Sequence, residues 1–143
     1  MNERLTSISA EHTRRIAADF CLRLPPGSVV ALHGDLGAGK TCFVKGMDEK
    51  KGIEPVRVTS PTYTLLHEYE GDRLLVHADL YRLENENDAV RIGLDEFMDS
   101  DAITVIEWPS RAARLLPART WRVSLAPGAS PDERIIDIVG PAS

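Results

Sequence analysis

Eight consecutive residues, Gly34-Asp35-Leu36-Gly37-Ala38-Gly39-Lys40-Thr41, limit what this chain can fold into more than any other feature. They match the pattern GxxxxGK[ST]. The preceding run, Val29-Val30-Ala31-Leu32, is continuously apolar, as a strand buried on both faces should be. After it, Phe43, Val44 and Met47 fall on one side of a helix. Strand, glycine-rich turn and helix in that order make a phosphate loop. The glycines let the turn fold back so that backbone N–H groups converge on phosphate oxygens. The helix starting near Lys40 adds the positive end of its dipole. In such a loop Lys40 reaches the β- and γ-phosphates and the Thr41 hydroxyl ligates Mg²⁺.

The rest of the chain reads as a mixed α/β sheet. Ser9 is an N-cap, with Glu11 in the first turn of a helix whose apolar residues are Ile16, Ala17, Phe20, Cys21 and Leu24. Pro25-Pro26-Gly27 stops it. Val56 to Thr59 reads as a strand. Thr64 to Tyr69 and Arg73 to His77 form a hairpin about Glu70-Gly71-Asp72. The acidic stretch Glu84 to Asp101 suggests short helices, and Ala102 to Ile106 a second buried strand. Ala112, Ala113, Leu115 and Leu116 suggest a helix ending before Pro117. Trp121 to Leu125 and Arg134 to Val139 are strands with a turn at Pro127 to Pro131. The expected architecture is P-loop NTPase-like: central parallel strands, antiparallel hairpin additions and helices on both faces, in a single domain over residues 1–143.

Composition excludes several function classes. Seventeen Lys and Arg against 22 Asp and Glu leave a net charge of −5, the wrong sign for a protein that coats nucleic acid. No run of 18 apolar residues suggests a membrane span, and the polar N-terminus lacks the apolar core of a signal peptide. The two cysteines, Cys21 and Cys42, make no disulfide framework. A reduced, cytoplasmic protein is expected. Cys42 reads as a small, half-buried helix residue.

A phosphate loop needs an acid at the end of a second strand to hold Mg²⁺ directly or through water. Leu74 to Ala78 leads to Asp79, and Ala102 to Ile106 leads to Glu107. Spacing does not rank the two; one serves the metal and the other orients the attacking water, or one of them caps a helix or pairs with a surface arginine. Thr59-Ser60-Pro61-Thr62-Tyr63-Thr64 is either a switch that senses a γ-phosphate or a polar turn. His12, His33, His67 and His77 show no metal-ligand spacing. Arg111, Arg114, Arg119 and Arg122 make a basic stretch that reads as a solvated face before a lid or a partner surface. Trp108-Pro109 is a rigid core corner or an aromatic anchor for a partner.

Taken together, the loop, Ser60-Pro61-Thr62-Tyr63-Thr64, His77-Ala78-Asp79-Leu80-Tyr81-Arg82-Leu83 and Ile106-Glu107-Trp108-Pro109 resemble the ordered motifs of the TsaE (YjeE) family. That family comprises bacterial phosphate-loop ATPases needed to make threonylcarbamoyladenosine in tRNA. The resemblance spans about Ser9 to Leu116. It implies that Asp35, Leu36, Gly37, Ala38, Gly39, Lys40, Thr41 and Cys42 bind ATP and that Thr41 and Glu107 serve Mg²⁺. It implies activity dependent on Asp79, a switch at Thr59, Ser60 and Thr62, an adenine contact at Thr13 and a nucleotide contact at Arg134. The implied partners are the TsaD and TsaB proteins, with tRNA reached only indirectly and Trp108 a candidate contact. Cys42 departs from the usual second threonine after the loop. Ala78 departs from a larger residue, which could loosen packing beneath Asp79, and Asp48-Glu49-Lys50-Lys51 is unusually charged.

A small-molecule kinase shares the loop but needs an acceptor pocket and a lid, and no acceptor motif follows Thr41. A non-catalytic nucleotide switch also shares it. Phosphate release to water separates these readings.

Overall fold

The computed structural model describes residues 2–35, 37–49, 55–58, 65–69, 75–81, 87, 90 and 93–141. Its frame is an eight-stranded sheet. The strands are β1 (Asn2–Ser7), β2 (Val29–His33), β3 (Pro55–Val58), β4 (Leu65–Tyr69), β5 (Leu75–Asp79), β6 (Ile103–Glu107), β7 (Thr120–Pro127) and β8 (Arg134–Val139). They lie in the order β1-β8-β7-β2-β6-β5-β4-β3. The four central strands, β7, β2, β6 and β5, are mutually parallel. Antiparallel strands extend the sheet on both sides, β8 and β1 beyond β7, and β4 and β3 beyond β5. This is the expected fold.

Side-chain alternation divides the core into two layers. Val30 and Leu32, with Ile103, Val105, Leu75, Val123 and Leu125, pack against α1 (Ala10–Arg23) and α2 (Lys40–Glu49). Val29, Val76, Ala78 and Ile106 face the other way, onto α3 (Leu94–Met98) and the 3-10 helix Pro109–Leu115. Both faces of the central strands are covered, so β2 reads as an unbroken apolar run and β6 as one interrupted only by Thr104. Ala78 is fully buried in the second layer, beside Leu80 and Ile106.

The capped helix starts as expected: Ser9 Oγ accepts from the His12 backbone N–H at 3.0 Å. α1 and α2 cross closely at Gly46, where an added Cβ would lie 2.4 Å from the Arg14 carbonyl oxygen. The segment after β6 is helical and ends before Pro117 as expected, but its type and start differ. It is a 3-10 helix kinked at Ala112 (φ −138°), with Leu116 as its C-cap. β1 was not expected: its polar residues give little apolar signal, and antiparallel pairing to β8 makes it an edge strand. The expected turn at 70–72 and the charged residues Lys50 and Lys51 lie outside the described residues.

Candidate functional site

The parallel strands β2, β5 and β6 point their C-terminal ends the same way, where ligand sites of open α/β sheets lie. The loop after β2 occupies this end. Gly34 (φ +153°) and Gly39 (φ +102°) hold backbone angles that a side chain disfavours, and a Cβ at Gly34 would approach the Leu125 carbonyl to 2.9 Å. The turn closes with the Ala38 N–H donating to the Asp35 carbonyl at 3.0 Å, and α2 starts at Lys40. The first N–H groups of α2 therefore face the loop without intrahelical partners.

Arg134, on β8, braces this loop from behind. Its Nε donates to the Ala38 carbonyl at 3.2 Å and one Nη to the Gly37 carbonyl at 3.5 Å. Its other Nη is anchored on the carbonyls of Pro131 and Glu133, both at 2.8 Å. A residue 95 positions downstream of Gly39 is thus part of the loop's support.

A cavity of about 310 Å³ opens beside the loop, lined by His33, Gly34, Asp35, Lys40, Trp108 and Ser110 among others. Lys40 is buried, and its ammonium lies 3.8 Å from the centroid of the Trp108 ring, a cation–π contact that offsets part of its desolvation. Trp108 achieves this through a left-handed backbone (φ 58°, ψ 52°) that costs on the order of 1 kcal/mol for a bulky residue. Tyr81 packs on the same ring with centroids 4.9 Å apart. The His33 imidazole is held below its ordinary pKa, first by burial and then by the positive charges of Arg122 and Lys40.

Asp79 and Glu107 end β5 and β6 opposite each other in register. The strand of Glu107 lies directly beside β2, with Leu32 its partner, whereas Asp79 is one strand further out. Glu107 is 5% exposed. Its Oε2 lies 2.5 Å from His77 Nε2, and Asp79 Oδ1 accepts from the Tyr81 backbone N–H at 3.1 Å. Each carboxylate therefore has one oxygen tied to its own scaffold. Glu107 and the Thr41 hydroxyl, the expected metal-site pair, are oxygen donors of the kind Mg²⁺ takes in small number, and neither they nor Asp79 line the cavity. Among the described residues no group of three or more His, Cys, Asp or Glu forms a denser cage.

The remaining expected residues fall elsewhere. Thr13 is buried at the seam between α1 and β1, its hydroxyl 2.6 Å from that of Ser7, and does not line the cavity. Cys42 donates its thiol to the Ala10 carbonyl at 3.2 Å, tying α2 to the start of α1. Leu36, Thr59, Ser60 and Thr62 lie outside the described residues. Within the basic stretch, Arg119 is committed to the carbonyls of Gly27 and Met98, while Arg111, Arg114 and Arg122 are exposed. Metal-ligand spacing gives no sign of His77 among the four histidines. The signal that finds it is alternation, because His77 and Asp79 are two residues apart on one strand and share a face.

The family model of threonylcarbamoyl adenosine biosynthesis protein TsaE matches residues 7–136. A tRNA threonylcarbamoyladenosine biosynthesis protein TsaE from Treponema pallidum (strain Nichols) is 45% identical over 122 residues, 85% of this chain and 90% of that protein. Its counterpart from Bacillus subtilis (strain 168) is 38% identical over 131 residues, covering 91% and 80% of the two chains. The crystal structure of Bacillus subtilis YdiB superimposes with a TM-score of 0.82 at 30% identity, over 99% of this chain and 87% of that one. With the matched region spanning loop, both carboxylates and Arg134, the chain belongs to the TsaE family.

Proposed function

We propose that this protein is a Mg²⁺-dependent ATPase that supports the formation of threonylcarbamoyladenosine in tRNA. The observation that carries the reading is the convergence of Lys40, Thr41, Asp79 and Glu107 at one end of the sheet, in a chain whose relatives bear that biosynthetic name. ATP supplies a phosphoanhydride whose hydrolysis does work on a partner complex. In this chain the loop N–H groups and Lys40 hold the phosphates and neutralise charge that builds on them. Thr41 and Glu107 hold the cation, and Asp79 orients the attacking water. Lys40 has to exchange the Trp108 ring for phosphate oxygens, which are stronger partners for an ammonium.

The partners fitting this reading are TsaD- and TsaB-family proteins. Net charge −5 and the commitment of Arg119 to the fold oppose direct tRNA binding, since nucleic-acid affinity needs several cations held on one face. No helix among the described residues is long and apolar enough to cross a membrane. The test is phosphate release to water, alone and with the partners, alongside the modified nucleoside in a depleted strain. Hydrolysis stimulated by the partners supports the reading. A phosphorylated small molecule accumulating in step with ADP replaces it with the kinase reading, and nucleotide binding without turnover replaces it with the switch.

A further inference from the structure

We propose that His77 is a positioning residue that aims the Glu107 carboxylate at the phosphate loop. The inference rests on the reading of Glu107 as a residue of the divalent-cation site. A glutamate at a strand end has three rotatable bonds, and here its neighbour across the strands is another carboxylate, Asp79. Like charges side by side on one face repel, so an untethered Glu107 would swing away from Asp79. His77 prevents this. It stands two residues before Asp79 on β5, diagonal to Glu107, with its Nε2 2.5 Å from Oε2. The two side chains are only 13% and 7% exposed, so water competes poorly for the bond. With the hydrogen on Nε2, the bond occupies Oε2 and leaves Oε1 for the cation. The same device recurs beside it, where the Tyr81 N–H holds Asp79 Oδ1. Partners of this kind, one step behind a metal ligand, typically change metal affinity ten- to a hundredfold when removed.

The experiment compares wild type, His77→Leu and His77→Gln in the full chain. A fluorescent ATP analogue is titrated without metal and then with Mg²⁺, and thermal melting is recorded in parallel. The glutamine amide nitrogen reaches the position of Nε2; the leucine offers no donor. His77→Leu should raise the Mg²⁺ concentration for half-saturation about tenfold while metal-free binding stays unchanged, and His77→Gln should stay within about threefold of wild type. If His77→Leu does not fold, His77→Asn, whose shorter amide falls short of Glu107, takes its place against His77→Gln. Equal Mg²⁺ requirements in the donor-free variant and wild type, or a lower one in the variant, overturn the role of His77 alone. A wild-type protein that binds the analogue with no response to Mg²⁺ overturns the reading of Glu107 and the proposal with it.

Discussion

Asp79 and Glu107 are direct neighbours across the parallel strands β5 and β6, and their side chains share the face on which α1 and α2 pack. They are nevertheless unequal: Glu107 is the more buried and sits on the strand next to the loop strand β2. That asymmetry separates their expected phenotypes. Glu107→Ala should raise the Mg²⁺ concentration needed for nucleotide binding. Asp79→Ala should leave binding largely intact and slow hydrolysis. A Mg²⁺ titration of both variants checks this, and the reverse pattern exchanges the two roles.

Lys40→Ala should lower hydrolysis at least about a hundredfold, on the order of 3 kcal/mol of transition-state stabilisation. The substitution also removes the ammonium from the face of Trp108, so Trp108 fluorescence is expected to change in the absence of nucleotide. Near-normal turnover in a folded Lys40→Ala protein would place the chemistry elsewhere.

Arg134 donates to two loop carbonyls, and only a planar fork reaches both. Arg134→Ala should weaken nucleotide binding about tenfold, roughly 1.4 kcal/mol. Arg134→Lys should recover little of it. Equilibrium binding of a labelled nucleotide tests this; a lysine variant indistinguishable from wild type would show that charge alone suffices.

The Thr104 hydroxyl is buried in the middle of β6 and has no hydrogen-bond partner among the described residues. Its strand partners, Val29 and Val76, are both core residues. Thr104→Val exchanges an unsatisfied polar group for a methyl of similar shape. It should stabilise the fold by about 1 kcal/mol, a rise of roughly 3 °C in melting temperature. A fall in melting temperature would reveal a partner for that hydroxyl, such as a buried water.

His33 gives stability a pH dependence of definite sign. Its folded pKa lies below the ordinary 6.5, first because burial disfavours the charged form and then because of Arg122 and Lys40. Between that depressed value and 6.5 the unfolded chain binds more protons, so stability falls as pH is lowered from about 6.5 through the folded pKa. His33→Gln removes the titration. Its denaturation midpoint should fall less steeply with acidification than that of wild type, and parallel curves would count against this assignment.

The loop after β2 is built from local features, and so it is legible in the chain. Loop glycines, the following lysine and threonine, and the flanking apolar run and helical pattern all lie within 20 residues, and each is required by backbone geometry or charge. The Ser9 cap and the buried strands β2 and β6 are legible for the same reason: a cap is a bond three residues long, and burial on both faces writes itself as an apolar run, broken in β6 only by Thr104. What depends on contacts between distant segments was not. β1 is a strand because β8 pairs with it, and its own residues carry little sign of that. Gly46 looks like a flaw in a helix until α1 is laid against it. Spacing says nothing of how Asp79 and Glu107 sit relative to the loop; strand order places Glu107 on the strand beside β2 and Asp79 one strand further out. His77 gained its place only when β5 and β6 paired in the register that brings it to Glu107. Strand order and register are set by how the whole sheet buries its two apolar layers, a property of the assembled fold that no stretch of sequence carries by itself.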